Sequence, residues 1–221
     1  MPDTKYIAMV LGASGLIGSE TVNLLLNNNN YKTVYAISRK GIAIDHPKLN
    51  QILADSDSIA TKIADLQIDH FFSCIGTTAN KTPDKKEYYA IDLEYPMRVA
   101  NILHHNGCEI MCLVSSIGAN SSSNNFYLKL KGDTEEAIQT IGFKSLHIFR
   151  PSLLLGERKE FRLLESISQI IYPIFNWILV GKLKDYRSIH AKDIASAMIN
   201  VSLTAQNGTH IYQTQLIKEL A

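Results

Sequence analysis

Tyr127-Leu-Lys-Leu-Lys131 places a phenol and an ammonium four residues apart, on one face of a helix; Lys129 does not share that face. A free phenol titrates near ~10 and is a poor acid–base group at neutral pH, but a neighbouring cation favours its ionised form. Just upstream, Ser115 and Ser116 close the apolar run Ile110-Met-Cys-Leu-Val114. Open α/β sheets bind ligands at such strand ends. A serine hydroxyl there can hold a substrate carbonyl oxygen while Tyr127 passes it a proton.

A second constellation opens the chain. Gly12-Ala-Ser14-Gly15-Leu16-Ile17-Gly18 lies between an apolar block, Tyr6–Leu11, and a helical pattern, Leu16–Leu26. The first glycine allows a tight turn, the second lets backbone approach a phosphate, and the third lets the helix pack closely on the sheet. A pyrophosphate would then meet the free N–H groups and positive dipole end of a helix. The spacing is GxxGxxG, not the GxGxxG of the common dinucleotide fingerprint. At the end of the next strand, where NAD binders place a carboxylate for the ribose 2′-hydroxyl, this chain has Ser38-Arg39-Lys40. A hydroxyl, a guanidinium fork and an ammonium suit a 2′-phosphate, which predicts NADP(H) over NAD(H).

The elements that must hold these groups follow from the hydrophobic pattern. Strands are expected at Tyr6–Leu11, Thr33–Ile37, Asn50–Ala54, Ile68–Cys74, Ile110–Val114 and Leu146–Phe149, with a last short one at His210–Tyr212. Helices are expected at Leu16–Leu26, Glu87–His105, Phe126–Thr140, Phe161–Ile171 and Ala191–Leu203. Strands alternating with helices imply one α/β domain over residues 1–221, a Rossmann-type doubly wound parallel sheet with helices on both faces.

Bulk composition narrows the partners. With 46% apolar residues the 221-residue chain has the makings of a substantial core, and a net charge of +1 gives no electrostatic footprint for nucleic acid. Cys74, Cys108 and Cys112 show no metal or disulfide spacing, so no metal site is expected and a reducing, cytoplasmic setting is. Ile167–Val180 is apolar but interrupted by Gln169, Pro173 and Asn176, too broken for a membrane span. It reads as a buried helix or one that meets a second copy or another protein.

Taken together, Gly12–Gly18, Ser115-Ser-Ile-Gly-Ala119, Tyr127–Lys131 and Arg150-Pro-Ser-Leu-Leu-Leu-Gly156 resemble the short-chain dehydrogenase/reductase superfamily in its atypical or extended branch. Cys74-Ile-Gly-Thr-Thr78 and Tyr127-Leu-Lys-Leu-Lys-Gly132 look like the Tat-interacting oxidoreductase-like group, whose bacterial relatives are often labelled nucleoside-diphosphate-sugar epimerases. The resemblance implies Ser116 as the catalytic serine, Tyr127 as acid–base and Lys131 as its helper. It also implies Asp55 near the adenine, Cys74, Ile75 and Gly76 along the ribose, and Pro151, Leu153 and Leu154 beside the nicotinamide. The segment after the fourth strand lacks the Asn-Ala-Gly of typical members, and the region after Pro151 is short for a sugar epimerase.

The expectation is an NADP(H)-dependent oxidoreductase of a small carbonyl or alcohol. A cofactor-sensing protein that answers to a partner through Ile167–Val180 is the alternative. His190 is either a cleft residue or a structural hydrogen-bonder at a helix start, Asp92 a solvated or packed helix residue, and Tyr88 and Tyr89 candidates for a dimer face.

Overall fold

The structure is a computed structural model, and it describes residues 5–78, 82–155, 185, 187–204 and 206–221. The apolar run Tyr6–Leu11 forms β1, and α1 follows at Leu16–Leu26. Next come β2 at Tyr31–Ser38, β3 at Leu49–Leu53, the short α2 at Ile59–Ile63 and β4 at His70–Ser73. After α3 at Lys85–Tyr89 comes a π-helical turn, Ala90–Glu94, which leads directly into α4 at Tyr95–His105. The second half contributes β5 at Ile110–Val114, α5 at Phe126–Gln139, β6 at Ser145–Arg150, β7 at Leu154–Leu155 and β8 at Ile189–His190. It ends with α6 at Ala191–Ser202, β9 at Gly208–Gln213 and α7 at Thr214–Leu220.

Seven strands make one parallel sheet in the order β3-β2-β1-β4-β5-β6-β9, while β7 and β8 pair separately. Strand order reverses between β1 and β4, which opens a crevice at their C-terminal ends. Val10, Phe72, Cys112 and Phe149 point to one face, where they pack with α1 and α6; Met9, Phe71, Met111 and Ile148 point to the other, toward α4. Both faces are covered, so these strands read as continuous apolar runs rather than alternating ones.

The strands differ from the sequence expectation mainly at their ends: the fourth is shorter, while the second, sixth and last run further. The Glu87–His105 helix is the larger correction, since it begins at Lys85 and changes to π geometry at Ala90. Pro96 explains the change. It has no N–H for the carbonyl four residues back, and its ring crowds that carbonyl. The carbonyl is that of Asp92, and it accepts the Thr134 hydroxyl of α5 instead, at 3.2 Å. The helix expected at Phe161–Ile171 and the partner-facing segment Ile167–Val180 lie outside the described residues. Among the described residues no helix is long and apolar enough to cross a membrane.

Candidate active site

Gly12 leaves β1 with φ +82°, and a Cβ on it would stand 2.9 Å from the Ile75 amide nitrogen. Its own N–H and that of Ala13 both donate to the Ile37 carbonyl, which anchors the turn to β2. A Cβ on Gly18 would lie 2.2 Å from the Gly12 oxygen, so that glycine is where α1 meets the turn. Gly15 caps α1 without a side-chain hydrogen bond, which leaves the first-turn amides to a ligand. In front of them is a cavity of ≈ 500 Å³ that Gly12, Ser14, Gly15, Leu16 and Ile17 help to line. A glycine-walled turn, an uncapped helix start and a crevice of this size fit the pyrophosphate of a dinucleotide.

The cavity runs from this turn in two directions. Toward β2 and β3 its walls include Ser38, Arg39 and Asp55. The Ser38 hydroxyl is already spent on the Lys40 carbonyl at 2.6 Å, and Lys40 is absent from the walls, so Arg39 is the cation of that trio that faces the cavity. One carboxylate oxygen of Asp55 accepts the Ser58 hydroxyl at 2.6 Å and the Ser58 amide at 2.9 Å. These bonds hold the Asp55 carboxyl below its ordinary pKa. Tyr95, unassigned by sequence reasoning, also lines this end. It is buried, and among the described residues its hydroxyl has no hydrogen-bond partner. Burial first, then the Asp55 charge, push its phenol up to about 12, against the pull of Arg39.

Toward β4, β5 and β6 the walls are Cys74, Ile75, Gly76, Ser115, Tyr127, Lys131, Pro151 and Leu154. Asn125 caps α5 by accepting the Leu128 amide at 3.1 Å, which puts Tyr127 in the first turn of the helix and Lys131 one turn on, both in the cavity wall. The Lys131 ammonium lies 5.9 Å from the Tyr127 ring centroid. Ser116 is buried beneath the surface rather than in the wall; its hydroxyl donates to the Ile117 carbonyl at 3.3 Å, and its dipole pulls the Tyr127 phenol toward a lower pKa. Burial raises the Tyr127 pKa more than Lys131 and Ser116 lower it, so the phenol stays protonated. Ser115 is engaged elsewhere, donating to the buried carboxylate of Glu135. Leu153 and Gly18 are outside the cavity wall.

Of the two readings of Asp92, solvated or packed, the packed one holds: its side chain is fully buried, with Oδ2 2.8 Å from the Lys131 ammonium. Tyr88 is buried and donates to the Thr77 carbonyl at 3.0 Å, while the half-buried Tyr89 donates to Asp133 at 2.8 Å. His190 is exposed, away from the cavity wall, and its side chain does not cap α6. The remaining walls include Thr77, Thr78, Glu87 and Val114, which sequence reasoning did not assign.

Comparison with known proteins agrees with this geometry. The chain is 34% identical over 209 residues to protein FMP52, mitochondrial, of Candida albicans, covering 90% of this chain and 89% of that one. It is 29% identical over 225 residues to the protein of the same name from Coccidioides immitis, covering 96% and 92%. Among solved structures, the WbmH enzyme of Bordetella bronchiseptica, in complex with NAD+, superposes with a TM-score of 0.71 at 18% identity, over 97% of this chain and 79% of that one. A short chain dehydrogenase family protein from Francisella tularensis gives 0.68 at 19%, over 94% and 96%. The description "NAD dependent epimerase/dehydratase family" matches residues 8–213. The chain belongs to that family, of which a nicotinamide dinucleotide cofactor is typical.

Proposed function

We propose that this chain is an NADP(H)-dependent oxidoreductase of the short-chain type, acting on a small carbonyl or alcohol. The observation that carries the reading is the convergence of Tyr127 and Lys131, with Ser116 buried behind them, at one end of a cavity that begins on the Gly12 turn. When bound, the nicotinamide would exchange hydride with the substrate carbon. The chain's own groups do the rest. Tyr127 gives its proton to the substrate oxygen, and Ser116 steadies the phenol from behind. Lys131, ion-paired with Asp92, turns its N–H donors to the ribose. The Leu16 and Ile17 amides that open α1 hold the pyrophosphate, and the Arg39 guanidinium takes the 2′-phosphate.

Calorimetric titration with NADPH and NADH tests this directly. NADPH should bind more tightly, and Arg39→Ala should weaken it roughly 10–100-fold while leaving NADH unchanged. Equal dissociation constants in the wild type would remove the preference. No binding of either would remove the cofactor. Net NADPH consumption on a panel of carbonyl compounds then separates an oxidoreductase from an epimerase, in which the hydride returns and the cofactor ends unchanged. Three free cysteines favour a reducing compartment, the cytoplasm. The fungal relatives' names say mitochondrial, and fractionation decides between the two.

A further inference from the structure

The π-helical turn carries a buried carboxylate that the chemistry above does not use. Asp92 Oδ2 lies 2.8 Å from the Lys131 ammonium, and Oδ1 accepts the Thr77 amide at 2.8 Å. Gly76 stands beside them: a Cβ there would be in ordinary contact, 3.5 Å from both Asp92 Oδ2 and Lys131 Nζ. We infer that Asp92 is a positioning residue that offsets part of the Lys131 charge, helps to keep Tyr127 a neutral proton donor and so poises the site for carbonyl reduction. The direction of reaction rests on the oxidoreductase reading; the protonation state does not.

Lys131 alone would draw Tyr127 toward its phenolate. Burial is the first force against that ionisation, and Asp92, in contact with Lys131, adds to it by opposing a second anion and offsetting part of the Lys131 pull. The other groups around Tyr127 do not reverse this. Tyr88 approaches from α3 and Ser116 from the loop after β5, both neutral. Glu135 faces Lys131 from the next turn of α5, but Arg150 and Ser115 engage its carboxylate. Glu87, at the cavity rim, adds negative charge. Burial opposes the charge on Lys131, yet Asp92 and the other anionic neighbours outweigh it and hold the ammonium in place.

In the reductive direction the Tyr127 O–H bond breaks as the product's O–H bond forms. The carbonyl carbon gains hydride, the reductant being the reduced nicotinamide of the proposed function, which is left oxidised. Tyr127 then regains a proton from water. Oxidation would require the same phenol to ionise first, which burial and Asp92 resist.

Ultraviolet titration of tyrosinate in the cofactor-free protein tests this, with the Tyr127→Phe spectrum subtracted to isolate that residue. In the wild type the difference should stay flat up to about pH 10. In Asp92→Asn the ionisation constant should rise about tenfold or more, and Asp92→Glu, which keeps the carboxylate, should restore the wild-type curve. Asp92→Asn/Lys131→Met buries no unpaired charge and should again be flat. An unmoved Tyr127 in Asp92→Asn overturns the inference. If that variant does not fold, ionisation below about pH 9 in the wild type or the double variant overturns it as well. None of these titrations needs cofactor or substrate. Failure to bind a dinucleotide would therefore remove the proposed function and leave the proton assignment standing, and the converse holds too.

Discussion

Arg150 grips Glu135 with two nitrogens, Nε 3.0 Å from Oε1 and Nη2 2.5 Å from Oε2. Ser115 donates to the same carboxylate, which is 2% exposed, so the end of β5, the end of β6 and α5 are tied at one point. Glu135 stands one turn beyond Lys131 on α5. The ion pair thus fixes how far the helix that carries Tyr127 and Lys131 stands from the strand ends that carry Ser115 and Ser116.

Breaking this pair from one side should be worse than removing it whole. Arg150→Met leaves a buried carboxylate with the Ser115 hydroxyl and the more distant Lys131 charge but no paired cation, and a loss of roughly 3–5 kcal/mol is expected. Arg150→Met/Glu135→Leu buries no charge and should recover much of that loss. Urea melts of the two single variants and the double give the coupling. Additive losses would show that the two residues act independently.

Gly132 makes a second fixed point on the same helix. A Cβ there would lie 2.1 Å from the Ser121 nitrogen and 2.3 Å from the Asn120 carbonyl carbon, both backbone atoms that cannot yield cheaply. Gly132→Ala should push α5, and Tyr127 with it, off the loop after β5 and cost roughly 1–3 kcal/mol or more. Gly41→Ala is the control: its Cβ would meet only the Gln51 side chain, at 3.6 Å. Equal melting temperatures for the two variants would contradict the close approach.

What the sequence reveals of this site is what local pattern encodes. Buried parallel strands are apolar runs ending in turns, so Gly12, Asp55, Cys74 and Ser115 can be placed at strand ends from their neighbours alone. The pairing β7–β8 is two residues long and carries no period to detect. Whether a hydroxyl at a strand end is free is a tertiary matter, and Ser38 and Ser115 turn out to be engaged by Lys40 and Glu135. Asp92 looked like a polar position on an ordinary helix. The signal against that reading was Pro96, four residues on, which removes the hydrogen bond that would keep the helix α at Asp92. Neither the identity of Lys131 as its partner nor the orphaned Tyr95 hydroxyl has any trace in spacing.

That hydroxyl yields a prediction of unusual sign. Removing a buried polar group without a partner relieves an unsatisfied cost instead of creating one. Tyr95→Phe should therefore leave the cofactor-free protein as stable as the wild type or more so, by differential scanning calorimetry. A loss of more than about 1 kcal/mol would mean that the hydroxyl has an ordered partner after all.

The far end of the sheet predicts how stability answers to pH. His70 lies 2.7 Å from the Tyr31 hydroxyl, His147 lies 2.8 Å from that of Tyr212, and both rings are buried. Burial first lowers each to about 4, helped at His147 by the charges of His210 and His70 and opposed at His70 by Asp69. In the unfolded chain both would titrate near ~6.5. Between these values the unfolded state binds more protons, so stability is fully present above about pH 6.5 and falls as pH drops toward 4. Below that both states are protonated and these two groups add nothing further. The melting temperature should decline by several degrees across that window, at roughly 2–4 °C per kcal/mol. His147→Gln should flatten part of the decline. A wild-type melting temperature constant from pH 7 to 4.5 would show that neither imidazole is held neutral by the fold.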